Sequence, residues 1–159
     1  MSFLATPPVA PATTPPASAT IENDGWWPSI ELASVREIVR LNGTVTELRL
    51  QEATQAAMLA LNQELADWKA AKVAQGAETL LDVPASQIGG ESRLVALYRR
   101  AVYFYAKADL TERYRDFDTT AAGDRRADDL EATIDDARRN VRWAVSDLLG
   151  QSRVTVELM

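Results

Sequence analysis

The chain has 159 residues, a formal net charge of −6 and 47% hydrophobic residues. This length fits one domain with a buried core, and the acidic balance disfavours a duplex-DNA or RNA binder, whose affinity rests on Lys and Arg displacing counterions from phosphates. The absence of cysteine and histidine excludes disulfides, thiol chemistry and the usual neutral-pH proton carrier.

The first 25 residues are rich in proline, alanine and threonine. Five of the seven prolines lie between positions 7 and 16. Such a segment favours extended polyproline conformations and buries too little surface to offset its ordering entropy. We therefore predict a flexible arm over residues 1–25 that orders only on a neighbour, the alternative being a tail without a role. The first basic residue is Arg36, so the arm lacks the charged start of a signal peptide.

Trp26, Trp27 and Pro28 end the arm. Adjacent tryptophans seldom remain in water, so we expect this triplet to anchor the arm to the body or to contact a neighbouring subunit.

The body, residues 26–150, is predicted to be all-α with four helices. A short first helix over about 31–41 has a possible capping box at Ser34 and Glu37. Thr44 is expected to cap a second helix that runs unbroken to about residue 75, with Gly76 as its left-handed stop. The apolar seam of this helix is Leu50, Ala57, Leu61, Leu65 and Trp68.

A loop over residues 76–90 separates the second helix from the third. Leu80, Leu81, Val83 and Ile88 make this loop too apolar for a free linker, so we expect it to pack on the body. The third helix, about 91–116, is apolar nearly all round between positions 94 and 106 and is predicted to be the central helix.

The fourth helix, about 124–149, carries a charged face whose first half is acidic and second half basic. This order complements the helix dipole and suits either a solvated helix or a polar contact face between identical subunits. The residues of that candidate face are Asp128, Glu131, Asp135, Arg138, Arg139 and Arg142.

The last segment, residues 151–159, alternates polar and apolar side chains with the period of a strand. Within the predicted body no second strand is available to pair with it, so we expect it either to add to a partner or to remain a frayed tail. The candidate partner-binding residues are Arg153, Val154, Thr155, Val156, Glu157 and Leu158.

The motifs of common catalytic, cofactor and metal sites are absent from the sequence. There is no glycine-rich phosphate loop, and Asp116-Phe117-Asp118 lacks the third acid and the glycine of a calcium loop. No nucleophile stands beside a base in a defensible pairing. The sequence therefore predicts a protein that is not an enzyme and needs no cofactor or metal.

A series of short motifs is spread over most of the body. In chain order they are Asp82-Val83-Pro84-Ala85, Gly90-Glu91-Ser92, Arg100-Ala101-Val102, Glu112-Arg113-Tyr114-Arg115, Gly123-Asp124 with Ala127-Asp128, Thr133-Ile134-Asp135 and Arg142-Trp143-Ala144-Val145. In this order and at this spacing they resemble the head completion proteins of temperate contractile-tailed phages, also described as head–tail connector or adaptor proteins. The likeness runs from about Trp27 to Val145 and does not include the arm.

The resemblance implies a structural virion protein, assembled in the host cytoplasm and located in the neck between head and tail. It implies a ring, typically of twelve copies, that binds the portal after DNA packaging, helps retain the genome and offers a docking surface to the next neck or tail-terminator protein. DNA would pass through the ring without specific binding, and no membrane partner is implied. The alternatives are a small terminase-like nucleic-acid-binding module of DNA packaging or a generic helical scaffold.

Overall fold

The structure, a computed structural model, describes residues 19–41, 45–115 and 123–152, except for the side chains of residues 114, 115 and 123–132. The described fold is mostly helical, with two short strand pairs. Its elements are β1 (Thr20–Ile21), β2 (Ile30–Glu31), α1 (Leu32–Ile38), α2 (Glu47–Glu64), α3 (Ala66–Ala74), β3 (Gln87–Ile88), β4 (Glu91–Ser92), α4 (Arg93–Arg115) and α5 (Gly123–Leu149).

Helix α4 is the centre of the body, as the sequence predicts. Both α2 and α5 pack against it, whereas α2 and α5 make little contact with each other among the described residues. Ala53 and Ala57 are buried on α2 and leave room for α4 to approach closely. The α4 side chains Val95, Tyr98, Ala101, Val102, Tyr103, Ala106 and Leu110 are all buried in one hydrophobic core.

The predicted second helix is divided in two, so the body is not a simple four-helix bundle. Leu65, which is buried, has φ −94° and ψ 7°, and this departure from helical ψ separates α2 from α3. Helix α3 contains no fully buried residue. The interruption precedes Trp68, whose ring stacks near that of Trp27 with the ring centres 6.2 Å apart.

The two helix N-termini differ from their predicted caps. Glu31 is the N-cap of α1, and Ser34 donates its hydroxyl to the Glu31 carboxylate, so Ser34 and Glu37 form no capping box. Helix α2 is capped by Thr46, whose hydroxyl accepts a hydrogen bond from the Arg49 amide. The predicted cap, Thr44, lies outside the described residues.

The first strand pair brings part of the predicted arm into the fold. Thr20 pairs with Glu31 and Ile21 with Ile30 in antiparallel register. The connecting loop is held by Asp24, which accepts hydrogen bonds from the amides of Trp26 and Trp27 at 3.0 and 3.1 Å. Composition alone did not indicate this pairing, because strands of two residues carry no readable period.

The loop after α3 packs on the body, as the sequence predicts. Gly76 has φ 98° and stops α3 as predicted. Leu80 and Val83 are buried in the core, whereas Leu81 and Ile88 are 70% and 67% exposed. Leu81 lies in a 3₁₀ turn over Leu80–Asp82, and Ile88 lies in β3, both of whose residues are exposed. These two side chains therefore present apolar surface to the solvent.

Helix α5 runs back along α4 and ends where the sequence predicts. Its buried seam includes Ile134, Ala137, Ala144, Val145 and Leu148. Gly150 then adopts φ 70°, which is accessible to glycine without strain. None of the helices in the described ranges is long and apolar enough to cross a membrane.

Candidate interaction surfaces

The described part of the chain contains both exposed and buried features that bear on function. No group of three or more acidic, histidine or cysteine side chains among these residues could hold a metal ion. Three features bear on function: a charged face on α5, a cluster of aromatic rings beside β1, and the end of the body from which the C-terminal segment leaves.

The described part of the α5 face is exposed and partly tied to α4. Arg138 forms an ion pair with Glu112 of α4. Arg139 pairs with Asp136, three residues earlier on the same helix, at 2.5 Å. One helical turn brings these two side chains together.

Trp143 extends the charged face with an aromatic ring. This side chain is 38% exposed, and the Arg139 guanidinium lies 5.3 Å from the centre of its ring. Arg142, also exposed, lines a shallow cavity of about 260 Å³ between α4 and α5 together with Tyr105 and Val141. A mixture of arginines and a partly exposed tryptophan is the composition enriched at protein interfaces.

The structure brings four of the six predicted polar-face residues together on one exposed surface. These are Asp135, Arg138, Arg139 and Arg142. The side chains of Asp128 and Glu131 lie outside the description. The α5 face therefore remains a proposal, and the structure describes mainly its basic half.

The tryptophan pair is buried within the chain itself. Trp27 stacks on Tyr98, with ring centres 4.6 Å apart and an angle of 13° between the planes. Trp26 meets Trp27 edge to face at 4.6 Å and donates its indole N–H to the carbonyl of Ala77 at 3.2 Å. The partners of the two rings therefore belong to α3, to α4 and to the loop that follows α3.

A polar network closes the aromatic cluster on one side. The Tyr98 hydroxyl donates to Asn62 Oδ1 at 2.6 Å and accepts from Asn23 Nδ2 at 2.9 Å. Asn62 in turn donates to Asn23 Oδ1 at 2.8 Å, so three side chains satisfy one another. Burial raises the pKa of Tyr98 above its ordinary value, which keeps the hydroxyl protonated as a donor.

Asp24 fixes the loop that carries the two tryptophans. Partial burial alone would raise the pKa of its carboxyl, but the ammonium of Lys69 at 2.5 Å and the amides of Trp27 and Trp26 more than compensate, so the pKa is lowered. The carboxylate therefore stays ionised and holds the loop by charge-assisted hydrogen bonds.

The C-terminal segment leaves the body beside the β3–β4 hairpin. Arg93, the first residue of α4, donates its amide to the Ser86 carbonyl at 2.9 Å and a guanidinium N–H to the Asp147 carbonyl at 3.3 Å. The exit at Gly150 is therefore adjacent to the hairpin. The candidate partner-binding residues 153–158 lie beyond the described part of the chain.

Sequence reasoning missed the hairpin and the exposed leucine before it. Gly89 and Gly90 have φ 61° and 80°, the conformation of a two-residue hairpin turn. The adjacent glycines Gly89 and Gly90 were the available signal. Leu81 and Ile88 place two exposed apolar side chains at this end of the body.

Comparison with known proteins places this body in a family. A model of the family described as phage head completion protein (GPL) matches residues 21–159. The chain is 44% identical over 136 residues to the head completion/stabilization protein of Escherichia phage P2, an alignment that covers 86% of this chain and 80% of that relative. No solved structure matches. A match over nearly the whole described body, at this identity, means that the chain belongs to the phage head completion protein family.

Proposed function

We propose that this chain is a structural virion protein that completes the phage head, as an adaptor ring between the portal vertex and the tail. The family match over residues 21–159 is the observation that carries the proposal. Assembled after DNA packaging, the ring would extend the channel, help retain the genome and present a docking surface to the next neck or tail component.

The α5 face supports contact between neighbouring copies. Its described arginines and Trp143 are exposed on a helix already supported by α4, so a neighbour could bind without refolding the body. Because a ring requires a head-to-tail contact, Arg138, Arg139 and Arg142 on one copy would meet a different surface on the next. The number of copies proposed is twelve.

The C-terminal segment supports contact with the portal. It leaves the body at Gly150, next to the β3–β4 hairpin that carries the exposed Ile88, so one end of the body presents both a potential strand and an apolar side chain. We propose that Arg153 to Leu158 clasp the portal by strand addition. Deleting residues 151–159 should then abolish portal binding while leaving the thermal unfolding of the body unchanged; unchanged portal binding would contradict this assignment.

The acidic balance of the chain suits a channel through which DNA slides. At a net charge of −6, negative walls do not grip phosphates and do not retard the duplex. The terminase-like alternative requires DNA binding that weakens steeply with salt. A mobility-shift titration across salt separates the two functions.

Disruption of the gene in its phage, with complementation by the intact chain, tests the proposal. Without the chain we expect packaged heads that lose DNA and do not join tails, together with free tails, in electron micrographs. Complementation should restore complete virions. Normal virions in its absence would contradict the proposed function.

A further inference from the structure

The cavity in the body that bears most on function lies at the closed end of the β1–β2 hairpin. It has a volume of about 410 Å³ and is called the Trp groove here. Its apolar lining comes from the connecting loop, the 3₁₀ turn and α4. The principal residues are Trp26, Trp27, Pro28, Leu80, Leu81 and Val95.

The Trp groove has no net charge. Its charged lining residues are Glu91 and Arg99, which form an ion pair with each other. Two polar atoms of lining residues, Trp27 Nε1 and Ser92 Oγ, are buried and have no hydrogen-bond partner within the described ranges. An unpaired buried donor is costly, so an occupant with carbonyl groups near this wall would gain hydrogen bonds if the wall opened slightly.

The first 18 residues have the complementary chemistry. They contain no charged side chain, five prolines, and the apolar residues Phe3, Leu4 and Val9. Their composition favours the polyproline conformation, which has no internal hydrogen bonds and leaves its carbonyl groups available. Apolar, aromatic-walled grooves are the surfaces that recognise such segments.

The direction in which the segment leaves the fold points to the groove of a neighbour. The Ala19 carbonyl accepts a hydrogen bond from the Leu32 amide at 3.0 Å, so the described chain begins at the open end of the β1–β2 hairpin. The Trp groove lies at the opposite, closed end, formed by residues 25–28. To enter its own groove the segment would have to reverse its course along the hairpin.

The length is sufficient to reach another copy. In an extended polyproline conformation, 18 residues span about 55 Å. The longest helix of the described fold, α5, has 27 residues and is about 40 Å long. A fully extended segment of 18 residues would therefore reach past its own body.

We infer that residues 1–18 of one copy occupy the Trp groove of the next copy in the ring. This inference rests on the proposed ring, and it adds a contact that the family match does not include, since the match begins at residue 21. Each arm would link two neighbours without a new folded domain, and the contact would be apolar and little affected by salt.

The absence of native cysteine makes disulfide trapping clean. Two full-length single variants, Pro11→Cys and Leu81→Cys, are supplied together to the phage, and its virions are oxidised mildly. Leu48→Cys is the matched control for the groove position, because it too is a highly exposed leucine but lies at the start of α2, away from the groove. We expect at least ten-fold more disulfide-linked dimer for the Pro11/Leu81 pair than for the Pro11/Leu48 pair.

Two results would overturn the inference. One is equal or absent cross-linking for the two pairs. The other is a bridge that forms only within a single chain carrying both Pro11→Cys and Leu81→Cys, which would assign the arm to its own groove. If the chain proves absent from virions, the proposed function fails separately. Oxidation of the purified mixed variants over a concentration series then still measures disulfide formation between the arm and the groove.

Discussion

Removing the Tyr98 hydroxyl is the sharpest test of how the body is held together. Tyr98 is fully buried, and its hydroxyl makes two short hydrogen bonds, to Asn62 and from Asn23. Each bond contributes about 0.5–1.5 kcal/mol net, so Tyr98→Phe should lower the free energy of unfolding by about 2 kcal/mol. The ring stacking on Trp27 is kept, so no large cavity forms.

Thermal and urea unfolding measure this effect. For a chain of this size, about 2 kcal/mol corresponds to a fall in Tm of about 4–8 °C, with an unchanged urea m value. Tyr105→Phe is the matched control on the same helix, because the Tyr105 ring is half-buried and makes no hydrogen bond among the described residues; it should change stability by less than about 0.5 kcal/mol. Equal effects of the two variants would refute the role given to the polar network.

Three further predictions concern a pH dependence, a turn and the α5 face. Asp24→Asn should lower the free energy of unfolding at pH 7 by less than about 1 kcal/mol. The folded pKa of Asp24 lies below its unfolded value, near 3.9, so the parent chain loses this advantage as the pH falls. In urea titrations, the difference in unfolding free energy between parent and variant should therefore be smaller at pH 3 than at pH 7. Gly76→Ala should cost about 1 kcal/mol in the same assay, because alanine is strained at φ 98°, and an unchanged midpoint would contradict the assigned turn. Arg138→Ala should leave Tm within about 2 °C, because its ion pair with Glu112 is exposed. The variant should nevertheless reduce the yield of infectious virions relative to Arg49→Ala, an exposed control on α2. Equal yields would count against the α5 face as an interface.

The long helices could be predicted because their apolar periods are strong. The buried seams of α2 and α5 and the all-round apolar sequence of α4 each follow from burial against neighbouring helices. Glycines at 76 and 150 marked two helix ends through their left-handed conformation. The sequence also carried the family, through phrases spread over most of the body.

The remaining features depend on contacts that no local pattern encodes. The break at Leu65 replaces one long helix by two, although the residues around it favour continuous helix. The two-residue strands β1 and β2 are joined by a loop that Asp24 holds, and Asp24 also pairs with Lys69 of α3, which is distant in sequence. Sequence could identify the tryptophan pair as an anchor but not its partners, since the stack on Tyr98 joins residues 71 positions apart in sequence.

Cryo-electron microscopy of the virion neck tests the central claim most directly. The account predicts a ring of this chain on the tail-facing side of the portal, with α4 and α5 recognisable as antiparallel helices and the segment after Gly150 directed to the portal. A complete neck in mature virions that contains no copy of this chain would contradict the account.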